Sequence, residues 1–595
     1  MQKVSNDWKD IHQQRLLNET FLEISFDVGD PEALAEAEAK DNGALYISNT
    51  SQIVSEVDKN IVPYATLEQN MWILDGNRKN VPTSNYGDTG YISNVLSNAD
   101  SVFDVVPVVS VEFSQVYTTI IPGVTITWGD GYDEVPSAFN IVAYNGNTEV
   151  VRTEVTGNTK LTSIVPMDIQ NYDKITIEIV KWCLPYHRAR ISNLFLGLNQ
   201  KYEKSDITKY NHEHSANPIG GALPVNKIGF SLDNTDGKYD PYNMTGLSKY
   251  LIERQEISVR YGLKHNDGSI EYIPAGRFYL AEWEAPQNGL EANFVARDLL
   301  EFMSKNYIKG QYVSAGVSLY DLAIDVLTEA NLPLNADGTV KWIIDESLKS
   351  IYTTAPLPIC SLSTCLQYIA QAGCCVLDYD REGILHIEPI NQTTTDYKLD
   401  DFNLYSHPDV TLQTPIKGVN VKAYNYFVER QGEELFNGEV SVNGTQDIVV
   451  TYSNPTINSV ANVSGGTLVS ATYYARSCVL RITGSGTVNV VITGDRMNTS
   501  SADYLIQDDT KGEIQDVENP LITSVTVASN VAVWVKQWIS NRQIIKADNW
   551  RADPRLDPMD IITFENEYTS ENIRMTSVKY NYNGSFKGSG EGRSV

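Results

Sequence analysis

At 595 residues, with 42% hydrophobic and 20% charged side chains, the chain is too long for one core and implies several domains of ~100 to 200 residues. Its formal net charge of −29 disfavours stable nucleic-acid binding, which needs clustered Lys and Arg, but suits a wall past which DNA slides, or plain solubility. No apolar run reaches the ~18 residues of a membrane span, no signal-peptide pattern opens the sequence, and six cysteines in so long a chain are no disulfide framework, so a cytosolic chain with reduced thiols is expected.

In chain order, residues 6–17 carry a weak helical pattern, and Leu22, Ile24, Phe26 and Val28 then alternate as a half-buried strand. Asp30 and Pro31 offer an N-cap and a first helical position to the Ala- and Glu-rich run 32–40, which predicts a surface helix. Residues 64–198 turn to aromatic-rich short strands, at 108–113, 123–128, 138–144, 149–155 and 174–182, and predict a β-sandwich. Beyond it Ile228, Phe230 and Leu232 alternate, as do Ile257, Val259 and Tyr261, with the turn chemistry of Asp233, Asn234, Asp236, Gly237 and Asp240–Pro241 between them. Further strands at 277–283 and 291–298 complete an antiparallel meander. Strands on both sides of 64–198 make the sandwich an insertion that interrupts one domain.

Residues 304–390 read as a small α+β unit. Ser318 and Asp321 start one helix, running to Ala330, and Ser361 starts a second whose apolar face is Leu362, Cys365, Leu366 and Ile369, with Gly373 at its C-cap. A hairpin at 374–378 and 384–387 follows. From 400 onward the pattern is again mostly β. A strand at 419–427 precedes a Ser-, Thr-, Gly- and Val-rich stretch read as a less regular β insertion, and a helix over 531–539, capped by Ser529, precedes the final strands.

Several motifs occur in a fixed order: FSLDNTDGKYDPYN (230–243), LIERQEISVRYG (251–262), AGRFYLAEWE (275–284), NFVARDLLEF (293–302), and near the end DNWRADPRLDPMDIITFEN (548–566) and IRMTSVKYNYNGSFKGSGEGR (573–593). Together these resemble the tail hub (baseplate hub) proteins of tailed bacteriophages. ATLEQNMWILDGNRKN (65–80), FNIVAYNG (139–146), NYDKITIEIVKW (171–182) and PYHRARISNLFLG (185–197) look like the jelly-roll, carbohydrate-module-like insertion of tail proteins from phages of Gram-positive hosts. The resemblance implies a mainly β fold with a small α+β domain. Residues 1–63 and 199–303 would make a first tube-like β-barrel domain, 64–198 an inserted jelly roll, 304–395 the α+β domain, and 396–595 a second tube-like domain with a β-rich insertion at about 432–521. It also implies a homotrimeric structural virion protein of the tail tip, assembled in the host cytoplasm. Three chains would imitate a sixfold tube and leave a channel that DNA crosses without specific binding. A tail tube or distal tail protein would sit above and a spike, fibre or tail lysin below. The chain stops at Val595 without a fibre or hydrolase, so those tasks are expected of other proteins.

Reactive constellations are thin. Asp130, Asp133 and Glu134 in WGDGYDE lie close in sequence, as a glycosidase pair requires, but acids around glycines read as a loop and fit no defined calcium spacing. His212-Glu213-His214 lacks the i, i+4 spacing of a zinc protease helix and reads as a polar surface loop. The cysteines at 360, 365, 374 and 375 read as core. No nucleophile elbow, P-loop or dinucleotide fingerprint occurs. The expectation is no enzyme, cofactor or metal. The alternative function is binding of host cell-wall glycan by the insertion, with Tyr86, Tyr91, Trp128 and Tyr132 stacking on sugar faces.

Overall fold

The strands whose apolar and polar residues alternate most cleanly join one 13-stranded sheet. The computed structural model describes residues 1 to 595 apart from 30–32, 34–35, 55–60, 67, 72–87, 130, 241, 244–250, 252–253, 287–288, 335–338, 391 and 509–510. The described residues are mainly β, in several sheets over four hydrophobic clusters, which is the fold class expected.

One half of the large sheet begins with Thr20–Gly29, which pairs with Gly197–Tyr202 on one side and Glu256–Lys264 on the other. It continues through Ile270–Glu284, Glu291–Arg297, Val225–Asp233 and Ile207–Ser215. The other half is C-terminal: Ser570–Tyr582, Phe586–Ser594, Gln543–Arg551 and Asp409–Leu412, with Ile561–Glu565 and Thr394–Leu399 branching from Ser570–Tyr582. The halves are fused by an antiparallel ladder that sets Tyr210 opposite Tyr582 and Ser215 opposite Ser577. A helix at Asn6–His12, capped by Ser5, closes the same core with Trp8, whose indole donates to Asp553 Oδ1 at 3.4 Å.

Gly29 lies opposite Gly197, so the chain leaves and re-enters the first half at a single point. Between them stands a two-sheet sandwich. Its four-stranded sheet is Tyr91–Ile92, Arg190–Phe195, Ile121–Trp128 and Thr162–Ile169, and its five-stranded sheet is Glu38–Asp41, Val108–Tyr117, Tyr172–Trp182, Pro136–Asn145 and Thr148–Thr156. Two expectations change here. The run 32–40 was expected to be a surface helix: Ala33 and Glu36 are helical, though Ala33 is buried in the sandwich core, but Glu38–Asp41 is a strand paired with Val108–Tyr117, with Ala39 in the same core. In that strand packing overrides the helix propensity of Ala and Glu. The sandwich therefore takes in residues well ahead of the expected start at 64.

The α+β unit has helices at Leu319–Ala330 and Leu362–Ala372 beside a three-stranded sheet of Trp342–Ile344, Leu385–Glu388 and Val376–Tyr379. Its core is shared with Val419, Val421, Val531 and Val535, so it is continuous with the C-terminal segments rather than a separate filler. The C-terminal helix is Val525–Ser540, capped by Ser524 rather than Ser529. The stretch read as a less regular β insertion carries the longest ladder among the described residues, Ile416–Thr451 and Ser477–Gln507 pairing from Gly418–Gln507 to Thr451–Ser477, with its irregularity confined to register shifts between Val428 and Phe436. Thr456–Ser464 and Thr467–Tyr473 pair with the second of these strands, and the module has its own core of Leu480, Ile482, Val488, Val490 and Ile492.

Arg381 joins these parts. Its side chain is 3% exposed, with Nε donating to Asp557 Oδ1 at 2.6 Å. One terminal nitrogen reaches Pro274 O in the first half at 3.0 Å and the other Leu556 O in the second at 2.9 Å. Replacing Arg381 by Ala removes the closest cation from Asp557, which keeps Gln2 and the chain's amino group, and takes a donor from the Pro274 and Leu556 carbonyls, the latter keeping the Tyr580 hydroxyl; the expected cost in a denaturant titration is ~2–3 kcal/mol. Arg381→Lys restores charge without the fork that spans three acceptors, so only partial rescue is expected.

Candidate functional site

Two groups of buried polar side chains stand out. The first lies at the seam. Because side chains alternate along Ile207–Ser215, Tyr210, His212 and His214 point into the core while Glu213 faces outward between Lys227 at 3.1 Å and Lys579 at 2.8 Å. The expected surface loop at His212-Glu213-His214 is thus the middle of a buried strand, a correction that period-2 alternation explains. Asn226 Oδ1 can only accept, so His212 Nε2 carries the proton and donates to it at 2.8 Å. Nδ1 then accepts from the Tyr261 hydroxyl at 2.8 Å, and Tyr210 donates to Tyr261 at 2.9 Å. Burial, and then the neighbouring His214, holds the His212 pKa down at about 3. Every polar atom of the relay is satisfied with a neutral ring.

The second group flanks the sandwich. Glu134 precedes the strand Pro136–Asn145 and is 5% exposed; Arg190 opens Arg190–Phe195 and is 2% exposed. Glu134 Oε1 meets His187 Nδ1 at 2.9 Å, and its Oε2 accepts from Trp182 Nε1 at 2.9 Å and Arg190 at 3.4 Å. Glu68 Oε1 accepts from Arg190 and from Thr66, and its Oε2 accepts from the Arg188 backbone amide at 2.8 Å. His187 Nε2 donates to Gln69 O at 2.7 Å. Glu68, Glu134 and His187 lie close enough to share a metal ion. The donor set does not fit one, because both carboxylates are engaged and the Arg190 guanidinium already lies between them as the cation. Beside the cluster is a cavity of about 260 Å³ lined by Gln69, Asn70, Met71, Glu134, Leu184, Pro185 and His187.

The glycan candidates lie elsewhere than expected. Tyr91 and Trp128 are 0% exposed and Tyr132 is 7% exposed. Trp128 packs on Phe139 with ring centroids 4.8 Å apart and donates to Ser163 Oγ at 2.8 Å. The Tyr132 ring carries the Arg190 guanidinium at 4.2 Å. These three rings are core, with no free face for a sugar; Tyr86 lies outside the described residues. The glycosidase pattern also disperses: Asp133 is exposed and Glu134 buried, while Asp130 is outside the described residues. Glu68, His187 and Arg190 were missed. Their only sequence signal is charge at alternate positions, Arg188 and Arg190, just ahead of an apolar strand.

Two outcomes follow. His212 is neutral in the fold but has an ordinary pKa of 6.5 when exposed, so its contribution to stability is full above about 6.5 and falls as pH drops toward 3. Urea titrations between pH 6.5 and 5 should show stability falling, by at most ~1.4 kcal/mol per unit from this residue, and His212→Gln should flatten that slope. Arg190→Leu leaves two buried carboxylates facing each other and should cost ~3–5 kcal/mol, read as an earlier melting transition.

No protein-family model matches the chain, and no curated protein matches it. Among solved structures, a tail protein from Neisseria meningitidis MC58 superposes with 8% identity over 67% of this chain and 93% of its own length, at a TM-score of 0.39. The prophage MuSo2 tail protein from Shewanella oneidensis gives 11% identity over 67% and 95%, at 0.36. A prophage tail protein from Listeria monocytogenes EGD-e gives 9% over 67% and 91%, at 0.35. At these scores the superpositions are loose, and none of them establishes a shared fold.

Proposed function

We propose that the chain is a structural protein of a phage or phage-derived tail, the hub of the tail tip or baseplate. The observation that supports this is the fused sheet: one polypeptide supplies two β halves side by side, locked by the ladder between Ile207–Ser215 and Ser570–Tyr582. Three such chains present six halves, so a homotrimer docks on a sixfold tube and passes threefold symmetry to a spike or fibre below. The sequence motifs point to the same family. A net charge of −29 suits a lumen that repels the DNA passing through it. Neither buried cluster holds a free nucleophile or an unengaged acid, which favours a structural part over an enzyme.

A second reading, adsorption to host cell-wall glycan through the inserted jelly-roll sandwich, has the cavity beside Glu134 and His187 in its favour, since its 260 Å³ would hold one sugar ring and its mainly apolar lining carries a few polar groups, Gln69, Asn70, Glu134 and His187. Light scattering across a concentration series, with imaging of the heaviest species, separates the two. A threefold mass with an open channel is expected. A strict monomer at every concentration, also with neighbouring tail proteins added, overturns the hub. Deleting 30–196, which joins Gly29 to Gly197 where they already lie opposite each other, should leave rings intact, whereas loss of cell-wall affinity with no ring in either form favours the adsorption module.

A further inference from the structure

The helix Leu362–Ala372 begins at Ser361, whose hydroxyl caps the Thr364 amide at 3.2 Å. That makes Cys360 the residue before the cap and Cys365 the fourth residue of the helix. These are the two positions where apolar side chains meet across a helix start and fix the angle of the entering chain. Here both are cysteines, and their sulfurs lie 3.4 Å apart. Cys365 is fully buried on the apolar face of the helix, while Cys360 is half-buried at its rim.

We propose that Cys360 and Cys365 form an oxidation site, a helix staple that closes to a disulfide when the folded chain meets a low-molecular-weight disulfide. The Cys360 thiolate attacks the small disulfide, forming a mixed disulfide and releasing one thiol. Cys365 then loses its proton, attacks the Cys360 sulfur and releases the second thiol. Two protein thiols and one small disulfide become one protein disulfide and two small thiols. The roles follow from access: either thiol can donate across the contact, but Cys360 is half-buried at the rim and Cys365 buried, and with Cys365 as donor the bond lowers the Cys360 pKa while it and burial raise Cys365. Cys374 and Cys375 are poorer thiolates, since burial pushes them up to about 11 and about 12.

The staple lies at a junction. Cys360–Ser361 pairs with Asn306–Tyr307, Gln367 and Gln371 of the helix donate to Gly220 O at 2.9 Å and Ile219 O at 3.2 Å, and Asn519 donates to Tyr368 O at 2.8 Å. Closing it ties the helix start to the strand that enters it, where the first half, the α+β unit and the C-terminal segment meet. The chemistry is independent of the tail reading.

The test incubates the native full chain with oxidised glutathione, alkylates the remaining thiols and maps peptides by mass spectrometry. The expected result is a peptide joining 360 and 365 that has lost two hydrogens and takes no alkylating reagent, while exposed Cys183 carries glutathione. In Cys365→Ser, Cys360 should instead retain a glutathione adduct. A stable glutathione adduct on Cys360 in the unaltered chain, or full alkylation of both residues once Cys183 is modified, overturns the proposal; neither readout depends on the variant folding.

Discussion

The ladder between Ile207–Ser215 and Ser570–Tyr582 is the constraint on which the rest of the structure depends. It turns what would be two exposed edges into one continuous sheet and satisfies both rows of backbone groups. Its register is enforced by chemistry on both faces. A slip of one residue would carry Glu213 into a core of tyrosines and expose His212 and Tyr210, so the outward pair of lysines and the inward relay each forbid the alternative. Arg381 then fastens a third element over the seam. Its five donors on a planar fork match three acceptors from two separate parts of the chain, Pro274 and Leu556–Asp557, which a hydrophobic contact of similar size could not specify.

The sandwich is anchored in a different manner. It departs and returns at Gly29 and Gly197, opposite one another in the first half, so its presence perturbs neither register nor core. Thr125 bonds Gly197 O at 3.0 Å, and a Cβ at Gly123 would meet Val165 O at 2.2 Å, so the root is close-packed as well as short. The charges around Arg190 do a local task within this unit: they tie Thr66 and Glu68 to the strand Arg190–Phe195, and Glu134 to both Arg190 and Trp182. Buried ion pairs of this kind add little net stability over apolar packing, but they are demanding about which partner sits where.

How much was legible in the sequence follows from the range of the forces involved. Period-2 alternation gave the meander strands and most of the sandwich, and the caps at Ser318 and Ser361 were readable because capping is a local hydrogen bond. The run at 32–40 was legible only in part: its helix propensity holds at Ala33 and Glu36, while the partner that makes Glu38–Asp41 a strand lies far along the chain. The Ser- and Thr-rich arm looked irregular because its two long strands are mostly exposed, so hydrophobic periodicity is weak where backbone pairing is strongest. Three of the four expected sugar platforms, Tyr91, Trp128 and Tyr132, are buried for a related reason. An aromatic ring in an alternating strand does not declare which face it is on, and Tyr91 and Trp128 are on the inner one. Histidines at alternate positions, His212 and His214, were the readable sign of a buried face, hidden by the polar character of the intervening Glu213.

A sheet of 13 strands that does not close must end somewhere, and its two ends are treated differently. At one end Gly197–Tyr202 lies against the root of the sandwich, where Leu198 packs in the core and Thr125 takes a carbonyl of the strand. At the other end Asp409–Leu412 pairs only with Gln543–Arg551, and Val410 and Leu412 are 52% and 66% exposed. That edge is short, and Pro408 and an acidic first residue precede its apolar pair, features that discourage indiscriminate strand addition. The outer edge of this strand, with two exposed apolar side chains beside it, still offers backbone groups to a partner of matching register. In a trimer of the proposed kind, the covered end cannot serve as a pairing surface without displacing the sandwich root. Backbone pairing between subunits through this sheet would then be left to the outer edges of Asp409–Leu412 and of the branch strand Thr394–Leu399, both away from the sandwich root in the strand order.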